Sequence, residues 1–296
     1  MTADSTILVT GATGKVGRNV VTQLLDAGVS VRALTRHPDA AGLPAGASVV
    51  EGDLSAPETF AGSLEGVSAA FLVWPFLTAD AAPGVLEALV KNRVRRVVYL
   101  SASGVRRERA RQSDPITQFH ADLERLIEDA GLDGPDGPDG LEWTFLRAGG
   151  FASNDLGWAA QIHEEGVVRA PFGDAGRSVI HERDIAAVAA HTLTHPDHRG
   201  KTYVLTGPET LTTRERVRIV GGAIGRSLRF EEISSEDARA QYLADGWPVS
   251  VVDGMLHAHA EMVTAPEQVT SAVEDLTGAP ALTYRQWAID HADDFR

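Results

Sequence analysis

Thr6-Ile-Leu-Val-Thr-Gly-Ala-Thr-Gly-Lys-Val-Gly17 is the stretch whose reading decides the fold. Ile7, Leu8 and Val9 form an apolar run as short as a buried parallel strand. Gly11, Gly14 and Gly17 follow at intervals of three. Val16, Val20 and Leu24 then recur four apart, with Val21 and Leu25 beside them, as on the core-facing stripe of a helix. Gly28 is placed to stop that helix. Strand, glycine turn and helix in this order are the unit that holds a dinucleotide pyrophosphate. The first glycine permits a tight turn, the second lets the backbone approach the phosphates, and the third lets helix and strand pack closely. The helix N-terminus faces the anion. Glycines alone are a weak signal, and a tight turn without ligand is the alternative. Their position between a strand pattern and a helix pattern is what supports the ligand.

Outward from this unit the pattern alternates. Strands are expected over residues 29–34, 49–54, 69–73, 97–100 and 143–146, and helices over 85–90 and 119–130. Such alternation predicts a parallel sheet covered on both sides. The near-repeat Gly-Pro-Asp-Gly-Pro-Asp-Gly within residues 131–140 reads as a turn-rich surface loop. Beyond Gly150 the periodicity loosens. Ile185 to Leu193 reads as a buried helix and Lys201 to Leu205 as a strand returning to the sheet. Thr212 and Glu215 form a capping box, and the remainder reads as mostly amphipathic helix. The expected architecture is α/β, a doubly wound parallel sheet with a smaller, mostly helical C-terminal lobe. The expected division is 1–152 with 179–207 returning to it, and 153–178 with 208–296 as the lobe.

The 296 residues are 43% hydrophobic and 23% charged, as in a globular protein with a sizeable core. With no cysteine, disulfides, thiolate metal sites and cysteine nucleophiles are excluded. A net charge of −14 disfavours nucleic acid and anionic membranes as partners. The longest apolar run, Ala69 to Leu77, contains Pro75 and is too short to span a bilayer. A strand starting so near the first residue leaves no room for a signal peptide, so a cytoplasmic location is expected. Arg106, Arg107, Arg109 and Arg111 read as a solvated loop.

At this point the residues carry a resemblance. GATGKVG at 11–17, LRAGGF at 146–151 with Asn154, HERDIAAVAA at 181–190 and YVLTGPETLTTRE at 203–215 are similar to hallmarks of the NmrA-like branch of the atypical short-chain dehydrogenase/reductases. The resemblance spans residues 6 to 215. It implies a Rossmann domain, a small C-terminal lobe and bound NAD(P). Its members include quinone, carbonyl and ether reductases, and also NADP-binding regulators without turnover.

Gly11, Thr13, Gly14, Lys15, Val16 and Gly17 are the candidate phosphate loop. Arg36 stands about twenty residues past the turn, where an NAD-specific protein carries a carboxylate for the ribose hydroxyl. No Asp or Glu occurs in Val31 to His37. A guanidinium there can bind a 2′-phosphate, so NADP(H) is expected in preference to NAD(H). The alternative is a solvated turn residue. Asp53 and Leu54 resemble the family's adenine-contacting pair, and Val73, Trp74, His120, Gly150 and Phe151 complete the candidate cofactor residues. Trp74, Phe76, Phe151, Asn154 and Trp158 are the candidate substrate wall, although core packing explains the aromatics equally.

The superfamily's usual site is a serine with Tyr-x-x-x-Lys. Here Ile116 falls at the tyrosine position and His120 at the lysine position, and none of Tyr99, Tyr203, Tyr242 and Tyr284 has the required spacing. Ser101 and Ser103 remain at the end of the fifth strand as catalytic candidates. His120 would bind the ribose or give up a proton near neutral pH, or is bonded only to backbone. No Gly-x-Ser-x-Gly elbow supports a hydrolase. The histidines at 191, 195, 198, 257 and 259 lack a clear set of acidic partners and read as solvated helix faces, so no metal is expected. The first reading is an NADPH-dependent reductase of a small carbonyl, quinone-like or aromatic compound, with Ser101 polarising the accepting oxygen. One alternative is a non-catalytic NADP(H)-binding sensor, favoured by the missing tyrosine. Another is a biosynthetic ketoreductase of an aromatic polyketide, whose acidic phenol would replace the tyrosine.

Overall fold

Ile7, Leu8 and Val9 are at most 1% exposed, as expected of a strand covered on both faces. In the structure, a computed structural model that describes residues 6–132 and 140–296, they belong to β1 (Thr6–Val9). The glycine- and proline-rich stretch read as a surface loop lies, apart from its ends, outside the described residues. The strands β2 (Ser30–Thr35), β3 (Ser48–Glu51), β4 (Val67–Leu72), β5 (Arg96–Ala102), β6 (Glu142–Ala148) and a later strand, Lys201–Leu205, complete a seven-stranded sheet. β3, β2, β1, β4, β5 and β6 follow one another in that order, with Lys201–Leu205 outermost beside β6. Pairing from β1 to β6 is parallel throughout, with Ile7 opposite Val31 on one side and Ala69 on the other. The order reverses direction between β1 and β4, the switch point at which open α/β sheets bind ligands.

The connections are helical, as parallel strands require. α1 (Lys15–Asp26) buries Val16, Val20, Val21 and Leu24, the stripe read from the sequence. α2 (Ala82–Lys91) and α3 (Pro115–Leu132) follow β4 and β5.

The chain divides into two compact units. One comprises Met1–Gln112, Thr117–Ala148 and Glu182–Val204, and holds the sheet. The other comprises Ser113–Ile116, Gly149–His181 and Leu205–Arg296. In chain order, its elements between residues 149 and 181 are α4 (Ala159–Glu165), β7 (Val167–Ala170) and β8 (Gly176–Arg177). α5 (Glu182–Thr194) and β9 (Lys201–Leu205) return to the sheet unit. β10 (Leu211–Thr212), α6 (Thr213–Ile224), β11 (Arg229–Glu232), α7 (Ser235–Ala244), α8 (Val249–Thr264), α9 (Ala272–Thr277) and α10 (Tyr284–Asp290) then follow. Trp287, Phe295, Ile162 and Val220 are each fully buried in the second unit's core. The capping box of Thr212 and Glu215 starts α6 as read. Beside these helices the second unit contains two short strand pairs that were not expected. β11 pairs in parallel with β7, and β8 pairs antiparallel with β10. Arg-Phe-Glu-Glu is too short and too charged to display a strand period.

Candidate active site

The chain after β1 turns at Gly11, whose φ of +57° lies in the left-handed region that a side chain disfavours. A Cβ on Gly17 would lie 2.1 Å from the Gly11 carbonyl oxygen, so helix and turn touch backbone to backbone. Thr10 fastens the turn to the neighbouring strand end. Its hydroxyl donates to the Val73 carbonyl at 3.1 Å and accepts from the Val73 N–H at 2.8 Å. A Cβ on Gly11 would come within 3.0 Å of the Val73 side chain. The turn therefore sits at the switch point. No side chain caps the N-terminus of α1 and no acidic residue stands in its first turn. Gly11, Thr13, Gly14 and Lys15 are exposed there. An uncapped helix N-terminus beside exposed glycine backbone is a fit for a pyrophosphate.

Arg36 is exposed just beyond β2. Asp53 accepts from both the N–H and the hydroxyl of Ser55 at 2.8 Å, which holds its carboxyl below the usual range; Arg36 adds a smaller pull in the same direction. Leu54 is buried. Arg18, which sequence reading passed over, reaches from α1 to the carbonyls of Ala41 and Gly42. Trp74 is 7% exposed and its indole N–H donates to the Thr78 carbonyl at 2.7 Å, with Phe76 edge-on at 5.3 Å.

Alternate residues of β5 meet residues four apart on α3, the periods of a strand and a helix. Ser101 is buried, and its hydroxyl donates to Glu124 Oε1 at 2.6 Å. Glu124 also receives Arg147, through Nε at 2.9 Å and Nη2 at 2.5 Å. Ser101 was expected to polarise a substrate oxygen; instead its hydroxyl bonds a buried carboxylate. Ser103 is half-buried at the strand end, and its hydroxyl has no hydrogen bond among the described residues. The Tyr99 hydroxyl stands 2.5 Å from His120 Nδ1. Burial, then the Glu124 charge, pushes the Tyr99 phenol well above its ordinary pKa, so it keeps its proton and can donate to that nitrogen.

A sequence model of the NAD(P)H-binding family matches residues 11–196. The chain belongs to that family, in the NmrA-like branch of the atypical short-chain dehydrogenase/reductases. It is similar to the (4-alkanoyl-5-oxo-2,5-dihydrofuran-3-yl)methyl phosphate reductase of Streptomyces griseus, 38% identical over 98% of this chain and 99% of that one. It is also similar to the NAD(P)H azoreductase of Xenophilus azovorans, 32% identical over 98% of this chain and 99% of that one. Among solved structures, the NADPH complex of an Escherichia coli NADPH-dependent quinone oxidoreductase shares the fold. Its TM-score is 0.75 at 22% identity, covering 95% of this chain and 98% of that one. The protein is an NAD(P)H-dependent oxidoreductase.

In this family member the remaining candidates lie in the second unit. Gly150 and Phe151 follow β6, and Phe151 bridges to Ile180. Asn154 is exposed, and Trp158 packs on the lobe core, beneath the Arg216 guanidinium at 5.3 Å. Sequence reading missed Arg177. Its Nη1 donates to His259 Nε2 at 3.2 Å, and a Cβ on Gly150 would lie 2.1 Å from its Nη2. His259 is therefore no solvated helix-face histidine. Nor is His198, which is buried and 2.8 Å from the Tyr203 hydroxyl. Among the described residues no three His, Asp or Glu side chains are arranged to hold a metal ion. No helix among them is long and apolar enough to cross a membrane.

Burial, then the charges of Arg177 and Arg216, pushes the His259 imidazole down to about 3. Above the ordinary histidine pKa of 6.5 both folded and unfolded chains hold it neutral, and it exacts no cost. Below that value the unfolded chain gains a proton that the folded chain refuses, so stability falls with pH. Between pH 6.5 and pH 5 the loss is about 2 kcal/mol. Urea unfolding at pH 7 and pH 5 should show this loss in the natural protein and much less of it in His259→Gln, whose carbonyl can still accept from Arg177. Equal pH dependence in both would contradict it.

Proposed function

We propose that the protein uses NADPH to reduce the ring double bond of a small lactone conjugated to two carbonyls, or a similarly electron-poor acceptor. The observation that carries this reading is the chain-long likeness to a reductase whose named substrate is a 5-oxo-2,5-dihydrofuran bearing an alkanoyl group. NADPH, when bound, supplies the hydride. An acceptor flanked by two carbonyls spreads the resulting negative charge over both, so protonation needs no strong acid. That chemistry fits a chain with Ile116 where the superfamily carries its tyrosine.

The roles of this chain's residues follow. Gly11, Gly14, Gly17 and the start of α1 hold the pyrophosphate, and Lys15 adds positive charge. Arg36 takes the 2′-phosphate. Ser103, rather than Ser101, offers a hydroxyl to the acceptor's carbonyl oxygen, and Ser101 positions Glu124. Tyr99 donates to His120 Nδ1, and His120 binds the ribose or passes a proton to the acceptor. Trp74, Phe76, Phe151, Asn154 and Trp158 remain the proposed substrate residues.

A panel of acceptors tests the function. NADPH oxidation should be at least a hundredfold more efficient with an acyl butenolide or a quinone than with benzaldehyde or cyclohexanone. Equal efficiency with the simple carbonyls would overturn the reading. Arg36→Ala tests the cofactor preference. Losing one charged hydrogen bond costs about 1.5–3 kcal/mol, or about tenfold to a hundredfold in affinity. NADPH binding should weaken by that factor and NADH binding should hardly change; equal affinities in the natural protein would count against Arg36.

A further inference from the structure

The second unit contains one buried arginine, Arg216, and one partly buried arginine, Arg177, with different surroundings. Arg216 is 3% exposed and directly paired with a carboxylate: Nη1 donates to Asp155, Nη2 donates to Thr213 at 3.2 Å, and the Tyr284 hydroxyl donates to the same Asp155 oxygen at 2.7 Å, although its Nε, like that of Arg177, is buried without a partner. Arg177 is open. Its side chain is 16% exposed, and its only hydrogen bond among the described residues goes to the His259 imidazole. Its Nε is buried without a partner. The nearest carboxylate, Glu267, lies 3.9 Å from that Nε, beyond hydrogen-bond reach, and its oxygen already accepts the Ser178 N–H at 2.8 Å. A buried guanidinium normally faces a carboxylate or phosphate with a two-pronged fit. Here a neutral imidazole occupies one prong and the Nε–Nη2 edge has no acceptor. Gly150, in the loop after β6, allows this arrangement, because any side chain there would strike Nη2.

We propose that Arg177, steadied by His259, is the receptor for a phosphomonoester group on the substrate. The Nε–Nη2 edge takes two phosphate oxygens, which gives the orphaned Nε a bond. Leaving such a donor unmet is unfavourable, so the unliganded site is poised for an anion. Burial lowers the Arg177 pKa more than Glu267 raises it, as expected of a cation short of countercharge. The nearby Arg216 charge adds to the field that a dianion feels more strongly than a monoanion. The proposal rests on the reductase reading for the identity of the ligand's carrier, but the site itself binds whether or not turnover occurs.

The test is calorimetric titration of the NADP⁺-saturated protein, whose own phosphate loop is then filled, with phenyl phosphate, benzoate and phenol. Phenyl phosphate should bind the natural protein at least tenfold more tightly than benzoate, and phenol should not bind. Arg177→Gln should weaken phenyl phosphate at least tenfold, and Arg177→Lys by an intermediate factor. Thermal melts identify any variant that fails to fold, and Gly150→Ala, which crowds Nη2, then serves as the second variant with the same expected loss. Absence of binding, benzoate binding as tightly as phenyl phosphate, or equal binding by folded Arg177→Gln would overturn the proposal. A protein that binds phenyl phosphate through Arg177 yet oxidises NADPH with no acceptor would instead overturn the reductase substrate reading alone.

Discussion

Gly17→Ala is expected to weaken NADPH binding about a hundredfold. The added Cβ would lie 2.1 Å from the Gly11 carbonyl oxygen and 2.7 Å from its carbon. Both are backbone atoms of the turn and cannot rotate aside, so α1 must lift away from β1. Overpacking of this kind costs about 1–3 kcal/mol and occasionally more, and about 3 kcal/mol is a hundredfold in affinity. The loss falls on cofactor binding because the displaced helix end is the part that faces the pyrophosphate. Gly28→Ala is the control. Its φ is +73° but nothing lies within 4 Å of the added Cβ. It should lower stability by about 1 kcal/mol and leave NADPH affinity intact. Fluorescence titration with NADPH and thermal melts separate the two. Full affinity in Gly17→Ala would mean that the glycine turn does not hold the cofactor.

The second large effect concerns Arg147 and Glu124, whose side chains are only 12% and 6% exposed. Arg147→Met removes the cation and leaves a buried carboxylate with Ser101 as its remaining hydrogen-bond donor among the described residues. Breaking a buried pair from one side costs about 3–5 kcal/mol. Adding Glu124→Gln removes the stranded charge and keeps an acceptor for Ser101, so the double variant should be more stable than Arg147→Met alone. Denaturant unfolding of the three proteins measures this. A double variant no more stable than the single would show that the buried charge is not the source of the loss.

Local signals carried most of the sheet unit. The run Ile7 to Val9, the glycines and the α1 stripe lie within two dozen residues, so strand, turn and helix were legible, and so was the family. The site's polar contacts were not. Tyr99 and His120 meet from a strand and a helix, and spacing rules search for a tyrosine four residues before its partner on one helix. The alternation Tyr99, Ser101, Ser103 marks one face of β5, but only the packed α3 shows that Ser101 meets Glu124. Arg177 and His259 lie still further apart in the chain, and a two-residue strand such as β8 has no period to read. The four-residue strands β7 and β11 were missed likewise, the first in a stretch without periodicity and the second within one read as mostly helix.

The central claim is hydride delivery to a conjugated double bond without a tyrosine acid. Reduction of an acyl butenolide with NADPH deuterated at the transferable C4 position, followed by NMR of the product, tests it most directly. The account predicts one deuterium on the ring carbon β to both carbonyls, with the lactone and alkanoyl carbonyls intact. Deuterium on a new carbinol carbon, or no product from protein that binds NADPH, would contradict it.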